Sequence, residues 1–249
     1  MTSAELKERF PFRKNESGMS DVLLCFHHAG GSAMVFRNWI RHKLGFELIP
    51  VEIPGRGTRC REACMTDFKA LVKDLSDSIK SAYDGRKVYM FGHSLGSIIA
   101  FEVANRLEDS GINVEKLFVA GREAPHCFGT SEYRCEMGTE GLKNELLRIG
   151  ATPKEVLEDE DFNEYMLPVI YSDYKLGEDY EYDNSCADYP IVALSGKGDP
   201  EADYEMMDEW KKVTNSDFRH YSFEGDHFFP YGAEEEQLLG ILNKEIGEM

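Results

Sequence analysis

Gly92-His93-Ser94-Leu95-Gly96 sets a serine between two glycines, after the apolar run "VYMF" and before the helically patterned "SIIAFEVANRL". A serine on such a strand-to-helix turn is held in a strained conformation with its hydroxyl exposed, and the glycines remove side chains that would clash. The chemistry this suits is nucleophilic attack on an acyl carbonyl. A hydroxyl is a weak nucleophile, so it needs a base, and the base needs an acid to orient it. Where the serine sits on such an elbow, the acid and then the histidine follow it in chain order. Asp199 comes just after "PIVALSGKG" and His227 just after "FRHYSFEGD", each past a strand-like run. Asp203 is a rival acid but lies further into the next segment. Asp226, beside His227, would point away from it on an extended backbone, and Glu224 meets the same objection. Asp199 is therefore the preferred acid.

A second stretch, "LLCFHHAGGSAMVF" (residues 23–36), puts His-His-Ala-Gly-Gly at the end of an apolar run. In an α/β-hydrolase, the loop after an early strand supplies one oxyanion-binding N–H, and the residue after the nucleophile supplies the other. The expected donors are the backbone N–H groups of Ala29 and Leu95, with Gly30 and Gly31 letting the backbone approach a substrate carbonyl. His27 and His28 then shape or line the pocket. A zinc site would need further ligands at fixed spacing, and no H-E-x-x-H pair occurs, so no metal is expected. His93 is expected to pack beside the nucleophile, and His42 and His220 to be surface or strand residues.

These groups must be positioned by elements, and six β-rich runs supply them: "DVLLCFHH", "FELIPVEIP", "KVYMFGHS", "KLFVAGRE", "PIVALSGKGD" and "FRHYSFEGD". Amphipathic stretches such as "TDFKALVKDLSDSIKSAY" lie between them with apolar residues at helical spacing. Alternation of this kind predicts a mostly parallel central sheet with helices on both faces, and the serine elbow at a strand–helix turn makes the α/β-hydrolase fold the expectation. We expect one domain over residues 1–249. From about Pro125 to Pro190 no strand pattern appears and several helices are predicted. This insertion, about residues 126–188, is a candidate lid over the strand ends.

Composition narrows the class further. The chain has 249 residues, with 28 Lys and Arg against 46 Asp and Glu, a net charge of −18. That excludes a nucleic-acid role, which needs a basic face. The acidic runs "EVLEDEDFNE" and "GAEEEQ" read as solvated helix faces and helix starts. The N-terminal residues are polar, without the apolar stretch of a signal peptide, and no run approaches a membrane span. A cytoplasmic, monomeric protein is expected. Cys25, Cys60, Cys64, Cys127, Cys135 and Cys186 then read as reduced thiols, with Cys60 and Cys64 lacking partners for a zinc set.

Together these residues resemble the type II thioesterases, α/β-hydrolases that serve nonribosomal peptide and polyketide synthases. The resemblance runs along nearly the whole chain: "LLCFHHAGGSAMVFRNW" at the oxyanion loop, "VEIPGRGTR" at a Pro-Gly-Arg-Gly turn, "FGHSLGSIIAFEVANRL" at the elbow, "AGREAPH" before the lid, and "FEGDHFF" at the histidine. Asp226 stands where the family commonly has glycine, and its carboxylate either raises the pKa of His227 or faces solvent. The resemblance implies hydrolysis of acyl or aminoacyl thioesters on the phosphopantetheine arm of acyl or peptidyl carrier proteins. It implies no cofactor beyond the phosphopantetheine that the partner carries. The Met1 start and short acidic C-terminus suggest a free-standing enzyme rather than a synthase-embedded domain. A general carboxylesterase of the same fold is the main alternative, and a non-catalytic binding protein a remoter one. Carrier proteins are usually acidic, so the cluster Arg37, Arg41, Lys43, Arg56, Arg59 and Arg61 is a candidate docking patch.

Overall fold

The computed structural model describes residues 1–14, 18–127, 131–150 and 152–247. Six strands form one sheet: β1 (Asp21–Phe26), β2 (Glu47–Pro50), β3 (Lys87–His93), β4 (Val114–Ala120), β5 (Ile191–Gly196) and β6 (Phe218–Phe223). They lie in the order β2-β1-β3-β4-β5-β6, and every pairing is parallel. The expected mostly parallel sheet is thus wholly parallel. Strands buried on both faces need continuous apolar runs, and β1 has one, with Val22 through Phe26 all buried.

Helices cover both faces. Along the chain they are α1 (Ser3–Arg9), α2 (Phe68–Ala82), α3 (Leu95–Glu108), α4 (Gly138–Arg148), α5 (Lys154–Leu157), α6 (Leu167–Glu178), α7 (Tyr204–Asp208) and α8 (Glu235–Gly247). Helix α2 starts at Asp67, whose side chain accepts from Ala70 N–H, and it buries Phe68, Leu71, Val72, Leu75 and Ile79 along one stripe. Ten of the fourteen residues of α3 are buried, which fits a helix enclosed between the sheet and α2. On the other face Phe36, Trp39, Phe91 and Phe118 pack with Leu238, Leu239 and Leu242 of α8. Burial works against the Glu245 charge on α8, but hydrogen bonds from Lys116 (2.8 Å), Tyr221 (2.6 Å) and Arg219 (2.7 Å) hold its pKa at about 2. That network ties α8 to β4 and β6.

The strand order reverses beside β1: the chain goes outward to β2, then returns to build from β3 the other way. In open α/β sheets ligands bind at the carboxyl ends of the strands at this switch point. The loop after β1 and the turn after β3 both emerge there.

Between β4 and β5 the chain carries α4, α5, a π-helical turn over Phe162–Met166, and α6. Tyr133, Leu142, Leu146, Leu157, Leu167 and Ile170 form a small apolar cluster of their own. Leu176 of α6 joins the main core instead, so α6 bridges the insertion and the sheet. Residues 128–130 and 151 of the expected lid lie outside the described residues.

Candidate active site

Ser94 follows β3 and precedes α3 with φ 55° and ψ −122°, a conformation that L residues rarely adopt. The surroundings enforce it. A Cβ on Gly92 would lie 2.2 Å from the Gly96 carbonyl oxygen, and one on Gly96 would lie 2.3 Å from that of Phe26. Only glycine lets the start of α3 sit against the end of β1. Ser94 N–H donates to Ala120 O at 2.8 Å, and the buried Ser97 hydroxyl donates to Gly92 O at 2.9 Å. Ser97, which sequence reasoning passed over, braces the elbow to the neighbouring strand.

Asp199 follows β5 and His227 follows β6, and the structure brings them together. His227 Nδ1 lies 3.0 Å from Asp199 Oδ2 and 3.1 Å from Oδ1, and both residues are buried. Asp199 Oδ1 also accepts from Glu201 N–H at 2.8 Å, which fixes the carboxylate. The rival acids are engaged elsewhere. Asp203 caps α7 by accepting from Met206 N–H, Glu224 pairs with Lys197 at the surface, and exposed Asp226 accepts from Phe228 N–H. Of the two roles considered for Asp226, the structure shows the solvent-facing one. Ser94 and His227 line one cavity of about 630 Å³ with His28, Ala29 and Leu95. The Ser94 hydroxyl is not hydrogen-bonded to His227 here, and contacts of that kind commonly tighten only around substrate.

His93 does more than pack. Its Nε2 lies 2.8 Å from His227 O, which can only accept, so the His93 proton sits on Nε2. The residue before the nucleophile therefore holds the backbone of the histidine loop. His28 packs edge-on against His93 and Phe228. Burial is the main cause that lowers the pKa of all three nearby histidines: His28 to about 4, and His27 and His93 well below the ordinary value. They stay neutral at physiological pH.

The loop after β1 turns at His28–Gly31, where Gly31 N–H donates to His28 O at 3.0 Å and Gly30 takes φ +74°. Leu95 is the first residue of α3, whose opening N–H groups have no intrahelical acceptor. Ala29 and Leu95 thus flank Ser94 on the same cavity wall. Beneath the loop, buried Glu52 accepts from Ala33 N–H at 3.1 Å.

The docking patch needs correction. Arg56 is buried and clasps Asp173 of α6 with both terminal nitrogens. Arg59 is buried too, paired with Glu62 and Asp74 and donating to Glu52 O. Neither can reach a partner, because a long cation counted as a surface charge is here serving neighbouring carboxylates. Arg37, Arg41, Lys43 and Arg61 remain exposed.

All six cysteines are free. Among the described residues, one group could gather a metal ion: His126, Cys127 and Glu209, with ligand atoms within 4.8 Å of one another. It lies at the surface, and Glu209 is already paired with Lys212 at 2.5 Å. No helix among the described residues is long and apolar enough to cross a membrane.

A parallel sheet with a strained serine at one strand–helix turn, and a histidine–carboxylate pair past the last two strands, defines an α/β-hydrolase of the serine type. Within that class the chain belongs to the thioesterase domain family, which matches residues 21–246. It is 32% identical over 235 residues to linear gramicidin dehydrogenase LgrE of Brevibacillus parabrevis, covering 90% of this chain and 87% of that protein. Its structure superposes on RedJ, a thioesterase from the prodiginine biosynthetic pathway in Streptomyces coelicolor, with a TM-score of 0.83, 30% identity, and coverage of 92% and 91%. BorB, the type II thioesterase of the borrelidin biosynthetic cluster, gives 0.81, 30%, 95% and 96%.

Proposed function

We propose that this thioesterase hydrolyses acyl or aminoacyl thioesters on the phosphopantetheine arms of carrier proteins, clearing misprimed or stalled units from a peptide or polyketide synthase. The observation that carries the reading is His227, held by Asp199, opening onto the same cavity as strained Ser94. The similarity to RedJ and BorB, both named thioesterases of biosynthetic clusters, supports the setting. The name of LgrE carries a redox activity instead, and the hydrolytic reading follows the family match.

In this reading His227 takes the Ser94 proton as the hydroxyl attacks the thioester carbonyl. The backbone N–H groups of Ala29 and Leu95 receive the developing oxyanion. Asp199 orients the imidazole and stabilises its charged form. His227 then protonates the departing thiolate, and the acyl group stays on Ser94 until water, activated by the same imidazole, releases the acid. The insertion between β4 and β5 acts as the lid, its Tyr133 and Tyr174 lining the acyl cavity. The enzyme works as a cytoplasmic monomer without a cofactor of its own. Six free thiols suit a reducing compartment.

The test compares release of a short acyl group from a phosphopantetheine-loaded carrier protein with cleavage of the same group as a simple oxygen ester, Ser94→Ala serving as control. Fast, Ser94-dependent release from the carrier with slow ester cleavage is expected. Preference for the free ester would make the protein a general carboxylesterase.

A further inference from the structure

Helix α6 buries Leu167, Ile170, Asp173 and Leu176, so a carboxylate stands among the apolar residues of its buried side. Asp173 is 1% exposed and its partner Arg56 6%. Burial opposes the Arg56 charge, yet Asp173 outweighs it and raises the Arg56 pKa. One of the two carboxylate oxygens has a second task. Asp173 Oδ2 accepts the backbone N–H of Gly30 at 2.7 Å, in the turn directly after Ala29.

The same helix touches both sides of the site. At Gly30 it comes so close that a Cβ there would lie 2.7 Å from Ile170 Cγ1. At Gly177 an added Cβ would stand 3.8 Å from Leu95 Cδ1. One face of α6 therefore abuts the residue after one expected oxyanion donor and the side chain of the other.

We propose that Asp173 is a positioning residue for the oxyanion site, fixing the Ala29 N–H through its hydrogen bond to Gly30, with Arg56 neutralising a carboxylate that would otherwise oppose the developing negative charge. This rests on the reaction proposed above. Packing alone does not account for the pair. Two apolar side chains of similar volume would hold α6 as well or better, since buried ion pairs often stabilise less than apolar replacements. Apolar side chains could not accept the Gly30 N–H, and a displacement of about 1 Å at a reacting centre can cost on the order of 100-fold in rate.

The experiment uses a short acyl thioester of free pantetheine, so that it does not depend on any carrier protein. Each preparation is normalised by serine titration with a fluorophosphonate taken to completion. In Asp173→Ala, which removes the acceptor of the Gly30 N–H, kcat is expected to fall at least about tenfold with KM within about threefold. Affinity for a trifluoromethyl ketone analogue of the acyl group should fall by the same factor, because it mimics the tetrahedral state. Arg56→Met should be slower than Arg56→Met/Asp173→Asn, since only the single variant leaves the carboxylate unneutralised. The deciding variant is Arg56→Met/Asp173→Leu, expected to unfold at or above the wild-type urea midpoint and yet turn over at least tenfold more slowly. Wild-type kcat and analogue affinity in that stable double variant would overturn the proposal and leave Asp173 a structural residue. If Asp173→Ala fails to fold, the apolar double variant still decides. Hydrolysis that survives Ser94→Ala would instead sink the reaction itself, a result separable from any outcome at Asp173.

Discussion

Three neutral histidines packed around the nucleophile make the fold sensitive to mild acid. Burial lowers the pKa of His28 to about 4 and those of His27 and His93 well below the ordinary 6.5. Because these folded pKa values lie below the unfolded one, at pH between about 4 and 6.5 the unfolded chain binds protons that the folded protein refuses. Stability contributed by neutrality is complete above pH 6.5 and is lost as pH falls below it. At pH 5.5 an unfolded histidine is about nine-tenths protonated, which penalises folding by roughly 1–2 kcal/mol for each site that stays neutral. His27 and His93 act in the same direction as His28, against a total of about 5–15 kcal/mol for a typical domain. Carboxylates with lowered pKa, such as Glu245 at about 2, lose stability only below this window. Glu52 and Glu102, pushed up mainly by burial, act in the opposite sense above 4.5, and the His28 comparison below cancels their contribution because both proteins carry them. The assay is urea unfolding at pH 8, 6.5 and 5.5 on the wild type and His28→Phe, which keeps the ring contacts with His93 and Phe228 but cannot titrate. The variant should lose about 1–2 kcal/mol less than the wild type across that range. Equal losses in the two proteins, or a flat wild-type profile, would refute the claim that neutral burial of these rings carries the acid sensitivity.

Asp199→Asn should leave KM for a small acyl thioester nearly unchanged while lowering kcat by about 10⁴-fold, because the imidazole loses both orientation and charge support; steady-state kinetics against Ser94→Ala measure it. Gly96→Ala should cost several kcal/mol or prevent soluble expression, since its Cβ would meet Phe26 O at 2.3 Å and His27 O at 2.7 Å; a urea midpoint matching the wild type would contradict that packing. Lys116→Met removes the Nζ donor that contacts Glu245 Oε2 and its carbonyl oxygen, each at 2.8 Å. It should destabilise by about 3 kcal/mol at neutral pH, measured by urea unfolding.

Most strands were legible because a parallel sheet demands apolar runs, each ending here at a glycine, proline or polar turn; edge strand β6, "FRHYSF", is largely unburied and was marked by its aromatic residues instead. Ser94 was legible for a related reason: glycine is required at Gly92 by the first turn of α3 and at Gly96 by the contact between α3 and the end of β1. Position in the chain was enough to choose Asp199 over Asp203, since an acid one element later becomes the cap of α7. The hydrogen bond from His93 to His227 O spans 134 positions, and no local pattern announces it.

The arginines expose the limit of reading charge along a chain. Six cations within twenty-five residues look like a patch, but exposure depends on what the fold lays over them. The Pro-Gly-Arg-Gly turn carries Arg56 under α6, more than a hundred positions away, and Arg59 is drawn inward by Glu62 and Asp74. A signal did exist on the other side of the pair. Leu167, Ile170, Asp173 and Leu176 recur at helical spacing, and a carboxylate in that series cannot be buried without a cation to meet it. The cation that meets it, Arg56, stands in the tight turn between Gly55 and Gly57 rather than on a helix face. Two of the six charges that looked like a surface for a partner, Arg56 and Arg59, are thus spent inside the protein, where Arg56 holds the helix that walls the loop after β1.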